Sequence, residues 1–327
     1  MRYKTHYFTG CLTMIEIKGV VGKYKIVKKI GSGGFGTVYL AEDTILKTLR
    51  AIKVPHRLGS QMDKSLQECI LQTKLLDHPN IVKLLTVDIV DSNILMIMEY
   101  IQGTDLEKIL DEKDKLDFKI ALKYFRQILS ALDFAHSQKV IHRDIRPSNI
   151  LINEEDNIKI TDFGTSTLLN ERPYATTRIG SPPYMAPEQF EGRAVLASDL
   201  YSAGCLFYEM VSGLPPIVMA NPMEIYKKAK SKNYTPLIKK VPTLPPELNS
   251  IVSRMLEPDL TVRYRTVREA LDELDSMGEK RKDNTVEIKE IKKRLEAREQ
   301  RTEIVCWNCR KSMPSRLHKC LYCGEEQ

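Results

Sequence analysis

The chain has no apolar run near the roughly 20 residues that a membrane-spanning helix needs; its longest hydrophobic stretches are broken by charge or Gly. Nor do the first 20 residues hold an apolar core followed by a small-residue cleavage site, so nothing in them reads as a secretory leader. Cysteine is scarce. Of seven, four form two close pairs near the C-terminus, while Cys11, Cys69 and Cys205 are scattered. That usage suits a reducing compartment with one metal site better than a disulfide framework. The charge imbalance is small, +7 over 327 residues, and fits an ordinary solvated surface better than a strongly basic binding face. Together these absences predict a cytoplasmic protein with no membrane segment.

What is present is a globular composition, 42% hydrophobic, with length for one large two-part domain and a small appendage. Residues 1–23 read as an N-terminal extension, with Met14 a second plausible start. From Tyr24 the sequence becomes β-like: Y-K-I-V-K-K-I, a Gly-rich turn, then T-V-Y-L-A-E and R-A-I-K-V. A helix is predicted over Asp63 to Leu76, ended by Asp77-His78-Pro79-Asn80 because proline disfavours helix in the residue before it. Strands Ile81 to Val90 and Ile94 to Glu99 follow. After Gly103 the texture turns helical, with helices over Thr104 to Leu110 and Phe118 to Gln138; in the latter Ile120, Leu122, Phe125, Ile128, Leu129 and Leu132 recur at helical spacing. Apolar density collapses after Met277. Gly278 to Arg301 carries nine Lys or Arg against six Asp or Glu, with Ile288, Ile291 and Leu295 as a narrow stripe. It reads as a solvated linker helix over 278–303, a nucleic-acid-binding arm being the alternative.

Chemistry concentrates in a few ordered motifs. Gly31-Ser32-Gly33-Gly34-Phe35-Gly36-Thr37-Val38 is a Gly-rich loop followed by a strand, where a dinucleotide fold would have a helix. Ala51-Ile52-Lys53 lies on a predicted strand. Val140 to Leu151 (V-I-H-R-D-I-R-P-S-N-I-L) puts Asp144 and Asn149 five residues apart between apolar runs. Asp162-Phe163-Gly164 comes after a strand-turn-strand segment that would return Asp162 beside Asn149. Gly180-Ser181-Pro182, Ala186-Pro187-Glu188, S-D-L-Y-S-A-G around Asp199, and P-D-L-T-V-R around Arg263 complete the series.

In this order the motifs from about Tyr24 to Met277 make the chain resemble a eukaryotic-like protein kinase. The resemblance implies an α+β bilobal protein-kinase fold over 24–277, a small β-rich N-lobe (24–101) and a larger helical C-lobe (102–277). It also implies transfer of the ATP γ-phosphoryl group to a protein hydroxyl. Asp144 would accept the hydroxyl proton, Arg146 neutralise the moving phosphoryl, Lys53 hold the nucleotide, and Asn149 with Asp162 bind Mg²⁺. Adenine would sit against Ile30, Val38, Ala51 and Leu151, with Met98 behind it and backbone bonds from Glu99 to Ile101. Asp105 would reach the ribose or cap the next helix. Thr176 and Thr177 would be phosphorylated, with Arg143 as a phosphate partner. Asp199 would brace the loop of Asp144, and Arg263 would pair with Glu188.

The sequence departs from the family in places. The family's helix Glu lies nine residues before the His of H-P-N, whereas Glu68, the expected partner of Lys53, lies ten before His78 with Cys69 at the expected place. Arg146 stands where Ser/Thr members carry Lys, and the two are not interchangeable. Pro147 and Ser148 still favour a Ser/Thr enzyme over a tyrosine kinase. A nucleotide-binding scaffold that has lost catalysis is the alternative, although base, metal Asp and strand Lys are all present.

The tail carries a second signal. Cys306-x₂-Cys309 and Cys320-x₂-Cys323 can offer four thiolates to structural Zn²⁺, and Gly324 suits a tight turn. Residues 304–327 thus resemble a zinc ribbon, with a redox dithiol pair as the competing reading and His318 as a surface residue. Protein substrates are the expected partners of the large domain. A docking partner is expected for the ribbon, a protein rather than nucleic acid.

Overall fold

The computed structural model describes residues 19–33, 36–55, 69–90, 93–163, 167–168, 180–277, 292–293, 303–314 and 317–327. The chain divides into two compact units, 1–272 and 273–327.

In the first unit, strands β1 (Val20–Val21), β2 (Tyr24–Gly33), β3 (Gly36–Asp43), β4 (Thr48–Pro55), β5 (Leu84–Val90) and β6 (Asn93–Glu99) form one sheet in the order β1-β2-β3-β4-β6-β5. Successive side chains of a strand point to opposite faces. One face therefore collects Tyr39, Ala41, Ile52, Val54, Leu95 and Ile97. The other collects Ala51, Met96 and Met98, joined by Cys69 and Val82. Lys53, which pairs with Met96 in the ladder, belongs to this second face. The β2–β3 register slips twice, between Ile26 and Lys28 and between Lys29 and Gly31; such bulges bend and twist a hairpin. Glycine is required at Gly36, because a Cβ there would stand 2.7 Å from the Val54 carbonyl oxygen.

Three predicted boundaries move. The helix expected over 63–76 is seen as α1 (69–73), with 63–68 outside the described residues. It ends early because Lys74 N–H donates to Leu71 O and Leu75 N–H to Gln72 O, three residues back, which tightens the chain into a turn. The strand expected from Ile81 begins at Leu84, since Asn80 to Val82 pairs instead with Ile160. The helix expected from Thr104 begins at Leu106: β7 (Gly103–Asp105) pairs with β9 (Ile150–Asn153), and α2 (Leu106–Lys113) follows.

The helical part is built on α3 (Phe118–Ser137) and α5 (Leu196–Ser212), and it also holds α4 (Pro187–Phe190), α6 (Pro222–Lys230), α7 (Leu237–Lys240) and α8 (Pro246–Met255). The stripe that α3 buries runs through Ala121, Tyr124, Phe125, Ile128, Leu129 and Leu132, whereas Ile120, predicted to lie on it, is exposed. Helix α5 is buried on all sides almost along its length, as a central core helix is. Phe125 and Phe207 join the two helices at a ring separation of 4.5 Å. Between them in the chain lie β8 (Val140–Ile141), β9 and β10 (Ile158–Ile160), which frame the loop of Asp144.

The second unit ends in a hairpin of β11 (Glu303–Val305) and β12 (Ser312–Pro314), with one turn between the strands and a second after them. The linker helix expected over 278–303 lies outside the described residues, apart from Lys292 and Lys293, which are helical, and Glu303, which begins the hairpin.

Candidate functional site

The loop after β8 is held from beneath by Asp199, which is fully buried in the first turn of α5. Its carboxylate accepts from His142 N–H at 2.9 Å, Arg143 N–H at 2.8 Å and His136 Nε2 at 2.8 Å. Burial alone would raise its pKa; the His136 hydrogen bond and charge, with those of His142, hold it below the ordinary value instead. This clamp keeps Arg143 in the left-handed region at φ 70°, a conformation that a non-glycine residue adopts only when its surroundings impose it. Arg143 itself is buried, and desolvation brings its pKa down to about 10 against the pull of Asp199.

Asp144 is thereby presented with its hydrogen bonds defined. Ser181 donates to Oδ1 at 2.9 Å. Asn149 Nδ2 donates to the Asp144 carbonyl at 2.8 Å and to Oδ2 at 3.1 Å. Arg146 Nε lies 3.6 Å from Oδ2. His142 Nδ1 accepts from Asp144 N–H, so Nε2 is the donor toward Thr161 O at 3.1 Å. Across from this loop Lys53 Nζ meets Asp162 Oδ1 at 2.7 Å. Asp162 is itself left-handed at φ 63°, and its neighbour Phe163 packs edge-on against His142 at 4.6 Å.

Lys53, Arg146, Asn149 and Asp162 open on one cleft of about 900 Å³, lined also by Ile30, Gly31, Ser32, Gly33, Gly36, Val38, Ala51, Met98, Glu99, Ile101, Asp105 and Leu151. Gly34, Phe35, Glu68, Thr176 and Thr177 lie outside the described residues. Asp105 caps α2 by accepting from Lys108 N–H at 2.9 Å, and it also lines the cleft. Glu99 N–H is taken by Lys83 O at 3.0 Å. Asn149 turns its amide nitrogen to Asp144, so its oxygen is the hard donor it can offer, alongside the Asp162 carboxylate, and this pair suits Mg²⁺. Sequence reasoning missed Gln72, Val82 and Ser148, which also line the cleft; no local pattern marks them, because only the closure of the sheet brings them there.

Elsewhere in the first unit, Arg263 grips Glu188 with two nitrogens, at 2.7 and 3.1 Å, and both are buried. Ser198 adds a third bond to Glu188 at 2.7 Å.

In the second unit the Sγ atoms of Cys306, Cys309, Cys320 and Cys323 all lie within 4.8 Å of one another. The Cys306–Cys323 and Cys309–Cys320 separations are 3.6 Å. Tetrahedral zinc with bonds of about 2.3 Å would place thiolates roughly 3.8 Å apart, so the donor set fits that ion. Backbone N–H groups point at the sulfurs, from Cys309 to Cys306 at 3.5 Å and from Tyr322 to Cys320 at 3.4 Å. Although burial opposes it, the N–H groups of Cys309 and Asn308 help bring Cys306 down to about 6, while burial and hydrogen bonds with the neighbouring thiols push Cys309 up to about 11. His318 is exposed.

Residues 24–274 match the sequence model of a family described as protein kinase domain. The chain is 35% identical over 263 residues to a probable serine/threonine-protein kinase of Clostridium acetobutylicum, covering 78% of this chain and 40% of that one. It is 34% identical over 282 residues to the serine/threonine-protein kinase PrkC of Bacillus subtilis, covering 82% and 43%. With CBL-interacting serine/threonine-protein kinase 16 of Arabidopsis thaliana it shares 33% over 259 residues, covering 72% and 53%. The chain thus spans about half the length of these relatives or less. Among the described residues no helix is long and apolar enough to cross a membrane.

Proposed function

The chain belongs to the protein kinase family, and from that premise we propose that it is a protein serine/threonine kinase. The observation that carries this is the convergence of Asn149, Lys53 and Asp162 on one cleft beneath a Gly-rich hairpin, with Asp144 hydrogen-bonded to Asn149. In the proposed reaction Asp144 takes the proton of a substrate hydroxyl. That oxygen bonds to the γ-phosphorus of ATP while the bond to the β,γ-bridging oxygen breaks, and ADP leaves. Arg146, beside Asp144, neutralises the moving phosphoryl. Lys53 leaves Asp162 for the α and β phosphates. Ile30, Val38, Ala51 and Leu151 hold the adenine, and Asp105 reaches the ribose. Mg²⁺, held by Asn149 and Asp162, supplies charge neutralisation along the phosphates. The serine/threonine preference rests on the names of the relatives and on Pro147 and Ser148.

The finer assignments are part of the same proposal: lobes over 24–101 and 102–277, Glu68 as the acidic partner of Lys53, and autophosphorylation at Thr176 or Thr177 with Arg143 as a phosphate contact. Residues 304–327 are proposed as a structural zinc module that docks a protein partner, in a cytoplasmic enzyme.

The test is phosphoryl transfer from Mg-ATP, by wild type and Asp144→Ala, to the protein itself and to a generic basic protein, with phosphoamino-acid analysis. Label on Ser or Thr that is lost in the variant is the expected result. Nucleotide binding without transfer by the wild type would overturn it. Chelation should alter the backbone amide spectrum of residues 303–327; an unchanged spectrum would remove the zinc module.

A further inference from the structure

Gln189, on α4, is fully buried, and both ends of its carboxamide are engaged. Oε1 accepts from Ala186 N–H at 3.0 Å, and Nε2 donates to Arg143 O at 3.0 Å. Gln189 N–H in turn donates to Ala186 O at 2.9 Å, so the residue is locked to both backbone groups of Ala186. The two partners also fix the amide orientation, because a flipped carboxamide would set oxygen against oxygen and N–H against N–H.

The ends of this strut lie on two different parts of the site. Arg143 O belongs to the same peptide unit as Asp144 N–H, which donates to His142 Nδ1 at 3.2 Å. Gln189 thus holds the carbonyl side of the peptide that carries the base. Its other end holds Ala186, which follows the half-exposed stretch 181–184. Ser181 of that stretch reaches Asp144, so an acceptor hydroxyl brought to this base lies against the same stretch. The fit is close: a Cβ built at Gly180 would stand 3.0 Å from Arg143 O and 3.3 Å from Gln189 Nε2. The loop of Asp144 has its own support, since His142 N–H and Arg143 N–H both go to Asp199. What the carboxamide adds is the spacing between base and acceptor segment, and neither Arg143 nor Ala186 lines the nucleotide cleft.

Resting on the kinase reading, we propose that Gln189 is a positioning residue for the protein acceptor: it sets the distance between Asp144 and the hydroxyl that receives the phosphoryl group. A displaced acceptor loses the in-line approach, while the nucleotide stays where it is.

The experiment compares wild type with two variants of the full chain. Gln189→Met loses both bonds at similar length; Gln189→Glu still accepts from Ala186 N–H but sets a carboxylate oxygen against Arg143 O. Transfer to a generic basic protein is followed with protein and ATP varied in turn, and ATP hydrolysed to water is counted alongside. In both variants kcat/KM for the protein should fall about tenfold, KM for ATP should stay within about twofold, and ATP hydrolysed per phosphate transferred should rise about tenfold. Where Gln189→Met does not bind ATP and so has not folded, Gln189→Glu carries the same reading. Unchanged transfer in either folded variant overturns the proposal, as does a fall in hydrolysis that matches the fall in transfer, since Gln189 would then hold the base alone. A parallel rise in KM for ATP, or loss of ATP binding in both variants, also overturns it by making Gln189 a structural group. Failure of the wild type to transfer phosphate at all overturns the kinase reading instead.

Discussion

Ser181 donates its hydroxyl to Oδ1 of Asp144 across 2.9 Å, although 37 positions separate the two residues in the chain. With Asn149 on the other oxygen, this bond fixes the plane of the carboxylate. Ser181→Ala should lower kcat roughly tenfold, the equivalent of about 1.4 kcal/mol, and leave the KM for ATP unchanged. Ser181→Thr keeps the hydroxyl and should retain most of the activity. Steady-state phosphoryl transfer with varied ATP checks both, and an unchanged kcat in the alanine variant would show that Asn149 alone suffices.

The Glu188–Arg263 pair answers to stability rather than rate. Arg263 also donates to Glu257 O at 2.8 Å and Ala197 O at 3.0 Å, so it ties the segment before α5 to the chain that follows α8 (Pro246–Met255). Removing one partner strands a buried charge. Glu188→Gln should cost about 3 kcal/mol in denaturant unfolding, and the double variant with Arg263→Met less than the sum of the two single changes.

Much of this site was legible because the motifs lie in short segments whose spacing the backbone obeys: Asp144 and Asn149 within one loop, Lys53 on a strand whose alternation sets its face. Asp199 and the Glu188–Arg263 pair were legible through the family resemblance. The donor that completes the Asp199 clamp, His136, was not, because it comes from the end of α3, 63 positions away. Gln72 was invisible for the same reason, since a helix pattern says which residues share a face but not what that face will meet. The early end of α1 follows from the burial of Leu75, which is 1% exposed: the tight turn that tucks this side chain into the core overrides the local helix pattern.

Glu209 on α5 makes stability depend on pH. Burial pushes its pKa from 4.5 to about 7, the Tyr184 hydroxyl at 2.7 Å pulls the other way, and the carboxylates of Glu107 and Asp111 add to the rise. The folded chain therefore holds this proton more tightly than the unfolded chain. Stability is fully present below about pH 4.5 and is lost as pH rises to about 7, by up to roughly 3 kcal/mol from this group. Glu209→Gln stays neutral and should flatten that part of the curve. Thermal melts of both proteins from pH 5 to 8 check it; parallel curves would place the pH dependence elsewhere.

In the two cysteine turns the same positions do the same work. Arg310 N–H donates to Cys306 O at 2.9 Å just as Gly324 N–H donates to Cys320 O at 2.9 Å, and both residues are left-handed, at φ 56° and φ 74°. Glycine adopts this conformation freely, whereas arginine is strained there by about 1 kcal/mol. Arg310→Gly should therefore raise zinc affinity about fivefold in a chelator competition, and Gly324→Ala should lower it by a similar factor. Nothing lies within 4 Å of a Cβ built at Gly324, so its loss would report backbone conformation alone. An Arg310→Gly variant that binds zinc more weakly would mean that the arginine side chain, not the turn, is what the first cysteine pair needs.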